Sequence, residues 1–224
     1  MGKNKLKKFQ ENETFDHLIQ PSREQVLNGF ELKGKWGSEF FKNDNPIILE
    51  LGCGKGEYTI GLAKRFPDKN FIGVDIKGAR IWRGAKTAQE ENLDNVGFLR
   101  TQIELIHLLF DANEISEIWI TFPDPQIKYR RQKHRLTHPE FIARYKEILK
   151  PGGSIHLKTD SEFLHGYTLG IIGVNEYPVE FANHDIYNPS THDLPSSLKE
   201  IQTHYEKSFL KENKKITYLK FQID

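Results

Sequence analysis

Residues 47–56 read Ile47-Ile48-Leu49-Glu50-Leu51-Gly52-Cys53-Gly54-Lys55-Gly56, an apolar run that ends beside an acid and opens into three glycines at alternate positions. Ile47, Ile48, Leu49 and Leu51, introduced by Pro46, predict a parallel strand covered on both faces. Gly52, Gly54 and Gly56 let the backbone turn sharply and approach a ligand that a Cβ would keep out. A helix over roughly Glu57 to Phe66 then aims its N-terminal amides at the same spot.

Spacing chooses among the folds that use such a turn. A dinucleotide fingerprint needs G-x-G-x-x-G, and Thr59 stands where the last glycine would fall. A P-loop ends in Gly-Lys-Ser/Thr, whereas Lys55 is followed by Gly56 and Glu57. What remains is Glu50 before the glycines and Asp75 closing the next apolar run, Phe71-Ile72-Gly73-Val74. An acid ending the second strand suits a ribose diol, because a carboxylate accepts both hydroxyl protons. Glu50 is placed to favour a sulfonium and an amino group. The set looks like the S-adenosyl-L-methionine site of a class I methyltransferase; the plainer alternative is a tight strand-to-helix turn with Asp75 as a turn residue.

The 224 residues fit one α/β domain with an N-terminal extension. With 37% hydrophobic residues the chain can fill a core, while a mean hydropathy of -0.61 gives it a polar surface. No run approaches the ~18 apolar residues of a membrane-spanning helix, and the basic start has no apolar region behind it, so secretion is not expected. Cys53, the single cysteine, forms no internal disulfide and fits a reducing cytoplasm. Residues 1–20 are expected as a flexible basic arm, with Lys3, Lys5, Lys7 and Lys8 near its start, either touching RNA or simply solvated. Residues 21–224 are expected to form the methyltransferase domain. Ser22-x-x-Gln25 offers a capping box for a short helix, with Trp36 and Phe40-Phe41 anchoring the segment after it.

Strand and helix alternate from there to Thr121, which predicts a parallel sheet. Gln102 ends the third strand and is either an adenine contact or an ordinary polar strand end. Ligands of such sheets bind outside the carboxyl ends of the strands, so the segment after the fourth strand faces the reacting group. It runs from Phe122-Pro123-Asp124-Pro125 to Arg135, and residues 126–135 hold five Lys or Arg with a tyrosine and no acid. That composition binds phosphate, unless the loop is only solvated. Two late strands joined by a helix, the last over Lys215 to Ile223 with edge-like alternation, fit the antiparallel end of a seven-stranded sheet.

ELGCGKG at 50–56, FPDP at 122–125 with Lys128 beyond it, LKTD at 157–160 and THYE at 203–206 together resemble the bacterial tRNA (guanine-N7-)-methyltransferases, from about Pro46 to Phe221. The resemblance implies a Rossmann-like, mostly parallel seven-stranded sheet and methyl transfer from S-adenosyl-L-methionine to N7 of a guanine in tRNA, in the variable loop. It places Glu50, Asp75, Gln102 and Asp124 around the donor together with Gly52, Gly54 and Gly56. It places Lys128, Arg131, Asp160, Thr203, Tyr205 and Glu206 at the substrate. Asp124 is the catalytic candidate. The expected partner is tRNA, without membrane or metal, and the chain acts as a monomer or a homodimer. Gln126 and Ile127 replace the Trp-Pro usual in the family, and an acid or Asn is commoner at Gln102.

Guanine N7 carries an in-plane lone pair, so alignment and exclusion of water suffice without a general base. Exocyclic-amine methyltransferases use an Asn/Asp-Pro-Pro-aromatic turn, which Phe122 to Pro125 does not match. Another RNA base methyltransferase of the same class, and a non-catalytic RNA-binding protein on the same fold, stay open as alternatives.

Overall fold

The computed structural model describes residues 3–191 and 194–223. In chain order the elements are α1 (Lys3–Asn12), β1 (Leu18–Ile19), α2 (Arg23–Leu27), β2 (Ile47–Leu51), α3 (Glu57–Arg65), β3 (Asn70–Asp75), α4 (Gly78–Glu90), β4 (Val96–Arg100) and β5 (Ile115–Thr121). They continue as α5 (Pro139–Ile148), β6 (Leu149–Thr159), α6 (Glu162–Asn175), β7 (Val179–Asn183), α7 (Ser197–Glu200), α8 (His204–Lys211) and β8 (Thr217–Gln222). Short helical turns lie at Trp36–Phe41, Ile103–Leu108 and Tyr129–His134.

The strands form one sheet in the order β1-β4-β3-β2-β5-β6-β8-β7. All pairings through β6 are parallel, and β8 runs antiparallel to both β6 and β7. The chain steps outward from β2 to β3 and β4, then returns to the other side of β2 with β5. Strand order therefore reverses between β2 and β5, and a crevice opens at their C-terminal ends.

Successive strand residues face opposite sides, and β2 divides accordingly. Ile47, Leu49 and Leu51 enter the core with Trp36, Ile72, Ile118 and Leu157. Ile48 joins Tyr58, Phe71, Phe98 and Trp119 on the other face. Glu50 shares the parity of Ile48 and so points at α3. On that face the Phe98 ring is the wedge between α3, α4 and the sheet: a Cβ at Gly56, Gly73 or Gly84 would lie 2.7, 2.8 or 2.6 Å from it. Gly56 also needs its left-handed φ of 71° to begin α3.

Three expectations change. The flexible arm over residues 1–20 is, from Lys3 to Asn12, a helix lying on α4, with residues 1 and 2 outside the described part. Phe9 packs at Gly78 and Asn12 is buried, so tertiary contacts order a segment whose lysine content argued for disorder. The sheet has eight strands rather than seven, because Leu18–Ile19 adds a short parallel edge to β4. The last strand is not an edge: β8 is covered by β7, and Thr217, Tyr218, Leu219 and Phe221 are buried. Residues 192 and 193, in the polar stretch over 188–197, lie outside the described residues. Ser22 and Gln25 do form a capping box on α2, each accepting from the other's backbone N–H.

Candidate active site

The glycine turn is tied to β3, with Gly52 and Cys53 both donating to the Val74 carbonyl at 2.8 and 3.0 Å. This brings Gly54 N–H within 2.9 Å of Asp75 Oδ2, while Lys77 N–H donates to Oδ1 at 2.7 Å. Each Asp75 oxygen thus keeps an acceptor direction free for two further donors. Gly54 has a left-handed φ of 57° and nothing within 4 Å of a Cβ position. A side chain there would fill the cleft rather than meet protein.

Glu50 is buried and almost fully engaged. Oε2 accepts from the Thr59 backbone N–H at 2.8 Å and from the Thr59 hydroxyl, and Oε1 accepts from the Thr121 hydroxyl at 2.6 Å. One carboxylate therefore joins β2, α3 and β5 at the crevice. Burial raises its pKa from 4.5 to about 7, against the lowering effect of the Thr121 and Thr59 hydrogen bonds and with a small further rise from the Asp75 charge. Burial, with the Glu50 and Asp75 charges, also pushes the Cys53 thiol well up. Cys53 is a small turn residue rather than a nucleophile.

Two cavities meet at Gly52. The first, about 100 Å³, is lined by Glu50, Gly52, Gly54, Thr121, Thr203 and Tyr205, with Lys55, Arg80 and His204 also on its walls. The second, about 260 Å³, is lined by Gly52, Asp75, Thr101, Gln102, His134 and Leu136. Together they form a cleft lined by Glu50 and Glu57 on one side of Gly52 and by Asp75 and Glu104 on the other. Gln102 faces the second cavity and also accepts from Arg23 at 3.4 Å, a long contact.

The wall opposite the glycines comes from α8. Thr203 caps it, its hydroxyl accepting from Glu206 N–H at 3.1 Å. His204 N–H donates to Glu57 Oε2 at 2.8 Å, linking the starts of α8 and α3. Glu206, expected at the substrate, is corrected here: it is fully buried and its oxygens are committed to Lys158 Nζ (2.8 and 2.9 Å) and to the Tyr187 hydroxyl (2.9 Å). Lys158 on β6 is equally buried, donates also to the carbonyls of Leu198 (2.5 Å) and Ile201 (3.3 Å), and lies over the rings of Tyr58 and Phe122. Burial lowers its pKa, opposed by the Glu206 carboxylate. This pair fixes the position of Thr203, His204 and Tyr205, and its sequence signal is a lysine inside the apolar strand Ile155 to Thr159.

Asp124 sits outside both cavities, exposed at the tip of the loop after β5, with Oδ1 accepting from Gln126 N–H at 3.0 Å. Phe122 and Gln126 on either side of it both have φ of 47°, a conformation that costs a non-glycine residue energy and recurs at functional sites. The basic run divides by role. Arg135 is buried, donates to the carbonyls of Gln126 and Ile127, and stacks on Phe163 (4.8 Å) and Tyr167 (4.4 Å). It clamps the loop and is no phosphate contact. Lys133 pairs with Glu140 at 3.3 Å. Lys128, Arg130 and Arg131 stay exposed around Tyr129, itself 81% exposed. Asp160 follows β6, half-buried, and burial raises its carboxyl pKa. Among the described residues no cluster of three His, Cys, Asp or Glu side chains is placed to hold a metal ion, and no helix is long and apolar enough to cross a membrane.

The reversed strand order, the glycine turn and the two acids define a Rossmann-like class I methyltransferase. Residues 44–219 match a family described as "Putative methyltransferase". The chain is 63% identical over 223 residues to the tRNA (guanine-N(7)-)-methyltransferase of Christiangramia forsetii, covering 99% of each. It is 50% identical over 224 residues to that of Bacteroides thetaiotaomicron, covering 100% of this chain and 87% of the relative. It belongs to the family of tRNA (guanine-N7-)-methyltransferases, and is an enzyme of that class. Among solved structures, the 16S rRNA methyltransferase KamB superposes with a TM-score of 0.60 at 13% identity, over 80% of this chain and 88% of its own. A 30S ribosomal A1408 methyltransferase from an uncultured bacterium gives 0.58 at 18%, over 91% and 95%. At such identities the likeness is one of fold.

Proposed function

We propose that the chain methylates N7 of a guanine in the variable loop of tRNA, in the cytoplasm, with S-adenosyl-L-methionine as donor. The observation that carries this reading is the cleft on either side of Gly52, with buried Glu50 in one part and Asp75 in the other, opening beside an exposed basic loop. The residues fit the donor. The free acceptor directions of Asp75 suit a ribose diol, the Gln102 amide an adenine, and the open space over Gly54 a close backbone approach. Glu50, Thr203 and Tyr205 enclose the amino-acid end. When bound, the donor supplies an electrophilic methyl group on a sulfonium.

The protein's part is alignment and electrostatics. Guanine N7 needs no deprotonation, and positioning alone supplies a large share of a barrier. Asp124 accepts hydrogen bonds from guanine N1 and N2 and stabilises the ring as it becomes cationic. Asp160, also on this edge, is the second acceptor, while Lys128 and Arg131 hold neighbouring phosphates. Tyr129, exposed among these cations, offers a face on which a base can stack.

The test is to incubate the protein with unmodified total tRNA and labelled donor and to map 7-methylguanosine by chemical cleavage. Cleavage at one variable-loop guanine is expected. Label without cleavage at guanine, or cleavage at another loop, overturns the assignment.

A further inference from the structure

α1 and α4 run antiparallel. Asn12 donates to the Gly78 carbonyl at the start of α4 (3.0 Å), and one turn further on Trp82 Nε1 donates to Glu11 (2.5 Å). The pairing gathers cations around one indole. Lys8 Nζ lies 4.3 Å, Lys86 Nζ 5.2 Å and the Arg83 guanidinium 5.7 Å from the Trp82 ring centroid. Arg83 is balanced by Glu90 at 2.7 Å. Lys8 and Lys86 have no ion-pair partner among the described residues.

The stripe reaches the donor cleft. Arg80, Arg83 and Lys86 follow one another at three-residue spacing and so share a helix face, and Arg80 lines the cleft together with Lys55. Lys86 stands about 9 Å beyond Arg80 along α4. Exposed Lys5 and Lys7 extend the charge over α1. Crowded like charges repel, and a polyanion laid across them removes that repulsion. Continuity with the cleft favours the macromolecule that the cleft receives over an anionic membrane.

We propose that the α1–α4 face is a second docking surface for the sugar-phosphate backbone of tRNA, engaging an arm of the folded molecule outside the target loop. The inference rests on the tRNA reading above. It makes substrate preference a matter of folded tRNA shape, since a short RNA carrying only the target loop lacks the second arm that this surface engages.

The experiment compares a Lys8→Gln/Lys86→Gln variant with the wild type on full-length unmodified tRNA and on a short linear RNA covering the variable loop, across a salt series. Full-length tRNA should bind the variant about tenfold more weakly, with the salt slope reduced by roughly 1.5–2. Affinity for the short RNA should not change. Lys128→Ala/Arg131→Ala, in contrast, should weaken both RNAs. Unchanged binding of full-length tRNA overturns the proposal, and so does an equal loss on the two RNAs. Loss of binding to anionic vesicles with tRNA binding intact overturns it in favour of a membrane. Wild-type methylation of the full-length tRNA, measured alongside, reads the proposed function separately, because the binding comparison stands whether or not N7 is the atom modified.

Discussion

Replacing Lys158 by methionine keeps most of the side-chain volume and removes the ammonium. Four acceptors lose the ammonium: both Glu206 oxygens, of which Oε1 keeps only the Tyr187 hydroxyl, and the carbonyls of Leu198 and Ile201. Lys158 and Glu206 are both 0% exposed, so the orphaned carboxylate cannot turn to water. Breaking such a buried pair costs about 3–5 kcal/mol. In a chain of this size each kcal/mol moves Tm by roughly 2–4 °C, which gives a fall of about 6–20 °C. Urea melts of the donor-free protein measure the change directly. The double variant Lys158→Met/Glu206→Gln should recover most of the loss, since no charge is left buried. A single variant within about 1 kcal/mol of wild type, or a double variant no more stable than the single, would refute the reasoning. Donor affinity measured on the folded single variant should also fall, because Thr203 and Tyr205 lose their anchor.

Three further outcomes follow from the cleft. Glu50 has a folded pKa of about 7 against 4.5 for the free group, so its contribution to stability is full below pH 4.5 and is lost as pH rises through 7. A cationic donor favours the ionised form, and calorimetry at pH 6 in two buffers of different ionisation enthalpy should show proton release that Glu50→Gln abolishes; no release in wild type would remove Glu50 from donor recognition. Asp75→Ala should weaken donor binding at least tenfold, since it removes the acceptor of both ribose hydroxyls, and an unchanged Kd would exclude that role. Asp124→Asn should lower the single-turnover rate with saturating tRNA by about 10²–10³ while changing tRNA affinity little; an unchanged rate beside a lowered Tm would make Asp124 a purely structural cap for Gln126.

Much of this was legible from residues 47–56 and 71–75, because a strand covered on both faces, alternate glycines and terminal acids leave few arrangements. Glu50, Gly52, Gly54 and Asp75 come together as their spacing implies. Glu206 misleads for a clear reason. Thr203-x-x-Glu206 is also the spacing of a helix N-terminus, and nothing local reveals a lysine 48 residues away on β6. Arg135 is hidden in the same manner, since composition cannot separate a cation clamped on Phe163 and Tyr167 from its exposed neighbours. The N-terminal helix depends on Trp82 and Gly78, and its own lysines argue against it.

The Lys158 anchor also bears on how the enzyme is made. The floor of the first cavity comes from residues 50–57, whereas its wall comes from Thr203, His204 and Tyr205, about 150 residues further along the chain. Synthesis proceeds from the N-terminus and early segments fold first. A nascent polypeptide that has emerged through β6 already holds the glycine turn and Asp75, but its Lys158 still lacks the carboxylate that makes burial tolerable. The first cavity is therefore completed only once Thr203 to Glu206 have emerged, and a chain cut short before Thr203 leaves Lys158 without its carboxylate.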